Sequence, residues 1–334
     1  MKLQERIDLL SQLGKYMLSD DQAWIDAKEK ASYENGWFIP EFVEKAIHSI
    51  ARSFLQKNIL EKWVAGYHIP ADNTDPKKIG VVMAGNIPMV GFHDLLAVFI
   101  SGHHAIVKTS SKDKVLIPHL VNTMMAWAPE VREHISFAEM LKGCDAYIAT
   151  GSNNSAGYFD YYFGKYPHII RRNKTSVAVV TGEETAKELE LLADDVFFYF
   201  GLGCRNVTKI YVPRDYDFIP LLTAFKKYDW LGENHKYKNN YDYNLALHLL
   251  NKKFYMSTPA ILLIEEASLF SPISQLNYEF YENAKEVDAL LGTSSSLQCV
   301  VGKTHTPFGQ AQYPDVTDYA DGVDTLAFVM NLSE

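Results

Sequence analysis

Cys204 is the residue whose type and surroundings point most directly to covalent chemistry. It follows Gly201 and Gly203, and the absence of side chains at those two positions lets a substrate approach the sulfur closely. Arg205 beside it, together with a helix N-terminus at this point, would favour the thiolate, the form of cysteine that attacks carbonyl carbons. The competing interpretation of this segment is a small buried hydrophobic residue beside a tight turn.

Polar side chains also follow three of the expected strands. Asn86 comes directly after one strand, Lys108 ends the next, and Thr150, Gly151 and Ser152 close a later strand and open a helix. An Asn amide at a strand end can donate to an oxyanion, and a Lys with neighbouring hydroxyls suits a ribose or a phosphate. Backbone N–H groups at a helix start can meet a pyrophosphate. Taken singly, each is also an ordinary turn or loop residue.

The histidines and cysteines of the chain do not have the spacing of metal ligands. The 11 His and 3 Cys include no His-Glu-x-x-His and no Cys-x-x-Cys, so we expect no bound metal. Cys144 and Cys299 lie in or beside apolar strands, where packing is the expected role. Gly201-Leu-Gly203 begins like the dinucleotide-binding glycine fingerprint, but position 206 is Asn. A nucleotide would therefore bind here without the usual glycine loop.

Composition places the chain among ordinary globular proteins. Its 334 residues carry 32 Lys+Arg against 41 Asp+Glu, a net charge of −9, and are 47% hydrophobic. The negative charge argues against nucleic acid as the main partner. No stretch reaches the roughly 20 apolar residues of a membrane span, and the N-terminus lacks the apolar core of a signal peptide. Three widely spaced cysteines make no disulfide framework, so we expect a cytoplasmic protein.

The elements that must position these residues follow an alternating pattern. Residues 1–66 are expected to be helical, with Pro40 in a first helical turn. Strands then alternate with helices, which predicts a doubly wound parallel sheet. A turn-rich segment at 171–175 is the expected boundary of a second α/β domain. The expected strands are 79–83, 105–108, 135–137, 146–150, 176–180, 207–212, 260–264, 297–301 and 325–332, and the expected later helices are 156–163, 218–228, 245–254 and 284–291.

The order of the candidate residues resembles that of the aldehyde dehydrogenase superfamily: Asn86, Lys108, Thr-Gly-Ser, Gly-x-Gly-Cys, then Thr306-Pro-Phe-Gly309. The segments Gly85-Asn-Ile-Pro88, Arg172-Asn-Lys-Thr-Ser-Val177 and Gly203-Cys204 look most like bacterial fatty acyl-CoA reductases of the bioluminescence (LuxC) type. The resemblance covers about residues 75–330. It implies an α/β fold with a Rossmann-like doubly wound cofactor domain and a smaller α/β catalytic domain.

The resemblance also implies roles for individual residues. Cys204 would form the acyl-enzyme, while Asn86 and the Cys204 backbone N–H would hold the oxyanion. Lys108 would hold the adenosine ribose. Contacts to the cofactor would also come from Thr150, Gly151, Ser152, Ser111 and Phe308.

Three departures from the superfamily pattern carry information. The stretch 168–174 contains no acid, although a water-activating Glu is normal there, which favours thioester reduction over aldehyde oxidation. Ser111 replaces the usual acid three residues after the Lys, which favours NADPH as the cofactor, with NADH as the alternative. A second family Glu would fall near Ser268, where Glu265 and Glu266 are out of register. The chain is also shorter than typical members.

The sequence therefore predicts NADPH-dependent reduction of a fatty acyl thioester to the aldehyde. The donor is expected to be acyl-CoA or another acyl thioester, such as an acyl-donor protein. The predicted domains are 1–66 (helices), 67–173 (cofactor), 174–305 (Cys204) and 306–334 (a tail whose last strand suggests a homodimer). Alternatives are an oxidative aldehyde dehydrogenase, a cysteine hydrolase using His93 or His168, and a catalytically silent nucleotide-binding scaffold.

Overall fold

The structure, a computed structural model, describes residues 1–333. The chain divides into two compact units. The first unit contains residues 1–173 and the chain from residue 314 onward, and the second contains residues 174–313. Residue 314 therefore marks the point where the chain returns to the first unit.

Four helices open the first unit, as predicted for residues 1–66. Asp21 caps the second helix by accepting the Ala23 and Trp24 N–H groups, and Pro40 occupies the first turn of the third. Val43 and Ile47 on that third helix are buried, as their spacing indicated. The four helices are α1 (Leu3–Met17), α2 (Gln22–Glu34), α3 (Pro40–Ser53) and α4 (Lys57–Val64).

The first unit is built on a five-stranded parallel sheet in the order β3-β2-β1-β4-β5. The chain builds outward from β1 to β3 and then crosses to β4 on the other side of β1, so the direction of winding reverses between β1 and β4. This is the predicted doubly wound sheet. Its strands are β1 (Lys78–Val82), β2 (His104–Lys108), β3 (Ile135–Phe137), β4 (Ala146–Thr150) and β5 (His168–Arg171), and its helices are α5 (Phe92–Ser101), α6 (Leu116–Trp127) and α7 (Asn153–Phe163).

The second unit holds a six-stranded sheet in the order β11-β6-β7-β10-β9-β8, parallel except for the edge pair β8 and β9. The sequence did not predict the inner strand β10 or the helix α8. The strands are β6 (Thr175–Val179), β7 (Val207–Pro213), β8 (Met256–Ser257), β9 (Leu262–Glu265), β10 (Gln275–Tyr281) and β11 (Leu297–Val301), and the helices are α8 (Ala186–Phe197), α9 (Phe218–Phe225), α10 (His235–Leu250) and α11 (Ala284–Gly292).

The predicted tail strand at 325–332 is wrong. Residues Thr325–Met330 form a helix, α12, whose first turn is capped by the Asp324 carboxylate on the Ala327 N–H at 2.8 Å. Its Leu326 and Val329 are buried, and the helix packs on α5. The apolar residues of the tail thus cover the chain's own first unit, and the argument for strand pairing between two copies has no basis.

Helix α10 begins ten residues earlier than the predicted helix at 245–254. Asn234 caps it by accepting the Lys236 and Tyr237 N–H groups. With 16 residues, α10 is the longest helix among the described residues. Among residues 1–333, no helix is long and apolar enough to cross a membrane.

Candidate functional site

Cys204 lies in a turn between the end of α8 and the start of β7, where it is half-buried and not part of a disulfide. The expected helix N-terminus beside it is absent, because the turn runs directly into strand β7. A positive helix end therefore makes no contribution to the thiolate, and Arg205 is the adjacent positive charge in the chain.

The chain reaches this turn through a run of left-handed backbone. Tyr199 has a φ of 55°, Phe200 of 58° and Gly201 of 73°. Only the glycine adopts such angles without a steric cost, so the two aromatic residues store strain that their surroundings must offset. Phe200 is among the most buried large side chains of the chain. The segment leading to Cys204 is therefore fixed by packing.

The Asn206 side chain connects the Cys204 turn to the end of α8 through backbone hydrogen bonds. Its amide donates to the carbonyls of Phe198 at 2.8 Å and Asp195 at 3.1 Å, which lie at the C-terminal end of α8. Its carbonyl oxygen accepts the Gly203 N–H at 2.8 Å. Since the last carbonyls of a helix lack partners within it, a completely buried Asn that supplies them joins the end of α8 to the Cys204 turn.

Ser176 supports the Cys204 peptide from the neighbouring strand β6. Its hydroxyl donates to the Cys204 carbonyl at 3.0 Å, and its oxygen accepts the Cys299 N–H at 3.2 Å. This serine is fully buried. It belongs to the segment 172–177 that carried part of the resemblance, so the structure gives that segment a position directly against the Cys204 turn.

The turn that carries Phe308 is fastened to the same helix end. Asp195 on α8 accepts the Gly309 N–H at 2.6 Å and the Ala311 N–H at 3.1 Å through its two carboxyl oxygens. Phe308 itself is 6% exposed. Burial raises the pKa of the Asp195 carboxyl to about 7, against the lowering effect of the two N–H donors.

In the first unit, the loop with Asn86 lies against the loop that follows Lys108. A Cβ added at Gly85 would stand 2.5 Å from the Ser110 hydroxyl oxygen, so the close approach of these loops requires glycine there. The buried Asp113 reaches back and accepts the Met89 N–H at 2.8 Å. The structure thus brings Asn86 and the Lys108 loop to one edge of the sheet.

The other candidate residues for the cofactor lie along this edge. Lys108 ends β2 and donates to the Glu139 carbonyl at 2.6 Å. Thr150 ends β4, and Ser152 caps α7 by accepting the Ser155 N–H. Ser111 lies in an exposed turn. In doubly wound sheets, ligands bind beside the point where winding reverses, here between β1 and β4, so these residues fit a dinucleotide.

The two histidines considered as hydrolase bases both belong to the first unit. His93 hydrogen-bonds the Val316 carbonyl at 2.9 Å and packs against the Phe54 and Tyr319 rings. His168 hydrogen-bonds the Tyr166 carbonyl at 2.7 Å. His93 therefore has a structural role in closing the returning chain onto α5.

A large part of the chain matches a known family. Residues 43–220, a little more than half of the 334, match the family described as acyl-CoA reductase (LuxC). The chain belongs to the LuxC acyl-CoA reductase family. The match includes Asn86, Lys108, Thr150 and Cys204, so both units contribute to it.

A LuxC relative and two solved structures illustrate the similarity. Long-chain acyl-protein thioester reductase 2 of Photobacterium leiognathi is 23% identical in an alignment 209 positions long, which covers 57% of this chain and 43% of that relative. The matched region therefore spans less than half of the relative's length. Aldehyde dehydrogenase 21 of Physcomitrella patens has a TM-score of 0.70, with 12% identity over 99% of this chain and 84% of its own. An NADP-dependent enzyme of E. coli has a TM-score of 0.68, with 12% identity over 90% and 73%. These structures show the aldehyde dehydrogenase fold.

Several residues of the candidate site were not predicted. Asp195 lies three residues after Leu192, on the apolar face of α8, and an acid at such a position is a signal of a buried role. The helix itself is announced by a capping box in which Thr185 and Glu188 bond each other's backbone N–H groups. Asn206 carried no comparable signal, because an Asn near a turn is common.

Proposed function

We propose that this protein reduces a fatty acyl thioester to the aldehyde through an acyl group carried on Cys204. The observation that supports this most is the turn with the half-buried Cys204, whose backbone is held by Asn206 at the Gly203 N–H and by Ser176 at the Cys204 carbonyl. The family match is consistent with the same chemistry. A nucleophile in a rigid, partly exposed turn is what covalent catalysis on a carbonyl needs.

The chemistry assigned to the chain's own residues is nucleophilic substitution. The Cys204 thiolate attacks the acyl carbonyl and a new C–S bond forms. The old C–S bond then breaks, and the sulfur of the donor leaves with the electron pair as a thiolate, which takes up a proton from solvent. Asn86 and the Cys204 N–H are assigned to the oxyanion formed in that attack, a type of contact worth about 3–4 kcal/mol. NADPH, when bound, supplies the hydride that reduces the acyl group, and the aldehyde departs as the Cys204 thiolate is restored.

The cofactor is proposed to lie along the carboxyl edge of the first sheet. Lys108 would hold its adenosine ribose, and the backbone at Thr150, Gly151 and Ser152 would meet its pyrophosphate at the start of α7. Ser111, which is proposed to lie near the ribose 2′ position, carries no carboxylate. Since a carboxylate there would repel a 2′-phosphate, NADPH is favoured over NADH.

The deciding experiment follows NADPH absorbance and thiol release together, with a long-chain acyl-CoA as the first donor. We expect equal amounts of NADPH consumed and CoA released, and loss of both in Cys204→Ala. Cys144→Ala, a change of a buried cysteine in the other unit, is the control and should keep the activity. Thiol release without NADPH consumption would contradict the reduction.

The acyl donor is tested with the same two readouts. An acylated carrier protein is compared with acyl-CoA at equal concentration, because the relative from Photobacterium leiognathi is named for acyl-protein thioesters. Turnover with either donor supports the proposed reduction. Absence of turnover with both donors, while NADPH binds, would contradict a fatty acyl substrate.

Cofactor preference is tested by Ser111→Glu, which returns an acid to the position where the superfamily has one. We expect the ratio of the dissociation constants for NADPH and NADH to move about tenfold toward NADH, as one repelling charge near a phosphate is worth on the order of 1.4 kcal/mol. Ser155→Ala on α7 provides a control that adds no charge. An unchanged ratio would contradict the assignment of Ser111.

A further inference from the structure

Helix α8 ends at a point where two turns of the proposed site meet. The Asp195 carboxyl accepts backbone N–H groups of the turn at 307–311, and the Asp195 carbonyl accepts the Asn206 amide that holds the Cys204 turn. A single residue of α8 thus contacts both turns, one through its side chain and the other through its backbone.

Two further features show that the turn at 307–311 depends on this contact. Gly309 has a φ of +79°, and a Cβ added there would lie 2.8 Å from the Leu191 side chain on α8. The turn is therefore seated directly on the helix, with no room for a side chain. Asp195 is completely buried. Burial of an acid costs desolvation free energy, and the hydrogen bonds that the acid makes must offset that cost.

We propose that Asp195 is a positioning residue, whose buried carboxyl fixes the turn that carries Phe308 relative to the Cys204 turn held by Asn206. This inference rests on the proposed function, in which Cys204 carries the acyl group, and on the cofactor contact that the resemblance implies for Phe308. Both oxygens of the carboxyl are used on one turn, so the side chain sets the orientation of that turn as well as its distance.

Asp195→Asn is the first test, since it keeps the size of the side chain but turns an amide N–H₂ toward one of the two N–H donors. We expect amide hydrogen exchange to rise at least tenfold in the peptide 306–313 and to stay within twofold in the peptide 201–206. We also expect the dissociation constant for NADPH to rise about tenfold, while the rate of Cys204 alkylation by iodoacetamide stays within twofold.

Two other variants make the test specific. Thr185→Ala removes the capping box at the opposite end of α8 and should leave exchange at 306–313 and NADPH binding unchanged. Gly309→Ala displaces the same turn without touching the acid, so it should reproduce the Asp195→Asn pattern and replaces that variant if it does not fold. Unchanged exchange at 306–313 in both Asp195→Asn and Gly309→Ala would overturn the proposal.

The exchange measurement also separates this proposal from the proposed function. Failure of the wild-type protein to bind NADPH would count against the function, whereas the exchange pattern would still report on the anchoring of the turn. Normal cofactor binding in an Asp195→Asn protein whose turn exchanges rapidly would overturn the positioning role and leave the reductase proposal intact.

Discussion

The two units anchor their candidate residues with the same device but to different degrees. In the first unit, Asp113 holds the Asn86 loop through one carboxyl oxygen on the Met89 N–H, and its other oxygen is buried with no partner among the described residues. In the second, Asp195 uses both oxygens. Asn206 there also both donates and accepts.

This difference indicates that the Cys204 turn is more rigid than the Asn86 loop. A buried polar group that is only partly satisfied gives back little of its desolvation cost, whereas one with every atom engaged specifies a single arrangement. Backbone strain does not separate the two regions, because Met89 in the first loop has a φ of 56° and Tyr199 and Phe200 before the Cys204 turn have φ values of 55° and 58°. We therefore expect the Asn86 loop to yield before the Cys204 turn does.

The largest expected effect is a loss of kcat from a change in the Asn86 loop. Asn86→Ala removes the amide assigned to the oxyanion, and we expect kcat to fall about 10²–10³-fold, as for other oxyanion donors. The free energy of unfolding should change little, since the residue is half-buried in a loop. Turnover and urea denaturation measure the two quantities. Asn122→Ala, on the exposed face of α6, is the control, and an equal loss of rate there would refute the assignment.

Asn206→Ala affects the Cys204 turn, and we expect its main effect on the free energy of unfolding. The change leaves the Gly203 N–H and the carbonyls at the end of α8 buried without partners. At about 1–3 kcal/mol for each buried group, we expect the free energy of unfolding to drop by roughly 2–4 kcal/mol. Asn283→Ala, which removes the cap of α11, should cost about 1 kcal/mol in the same denaturation experiment. Equal losses in the two variants would mean that Asn206 acts merely as a cap.

The parts of this comparison that the sequence could predict are those with a local signal. Strand β5 was not predicted. The strands β1 to β4 of the first unit and those around Cys204 followed from short apolar runs between turns. Strand β10 did not, because its buried Asn277 breaks the apolar run, and the structure shows that this amide donates to the Ser268 and Phe270 carbonyls. A buried polar residue whose partners lie outside its own strand gives no periodic signal.

The tail failed for a related reason. An apolar run such as 325–332 is compatible with a strand or a short helix, and length and periodicity do not separate them. The choice is made by contacts far along the chain: the Arg171 guanidinium donates to the Thr325 hydroxyl at 2.8 Å and pairs with Asp94 on α5. These contacts seat the first turn of α12 against the first unit. Tertiary packing of this kind cannot be derived from the segment alone.

A pH series sharpens the comparison between the two acids. Burial raises the pKa of the Asp113 carboxyl to about 6 and that of Asp195 to about 7, where Asp194 adds repulsion, whereas an unfolded Asp ionises near 3.8. The native state therefore keeps a proton that the unfolded chain has lost, so each group's contribution is full below about pH 3.8 and is lost as the pH rises through its native pKa.

Between pH 6 and pH 7, Asp195 loses more of its proton than Asp113 does. We expect the free energy of unfolding of the wild type, relative to Asp195→Asn, to fall by about 1 kcal/mol over that interval. The same difference for Asp113→Asn should fall only about a third as much. Urea denaturation at both pH values measures it. A difference that grows with pH would show that the Gly309 and Ala311 N–H groups hold the Asp195 carboxyl ionised.

The last variant tests whether the Cys204 turn needs its second support. Ser176→Ala removes the hydroxyl that donates to the Cys204 carbonyl while Asn206 keeps its bonds, so we expect a loss of about 1–2 kcal/mol in the free energy of unfolding. The matched control is Ser136→Ala, which removes a hydroxyl bonded to His104 in the first sheet. If Asn206 alone fixes the turn, Cys204 alkylation changes no more in Ser176→Ala than in the control. A change of threefold or more confined to Ser176→Ala would show that the nucleophile is held from both sides, which makes the contrast with the Asn86 loop larger.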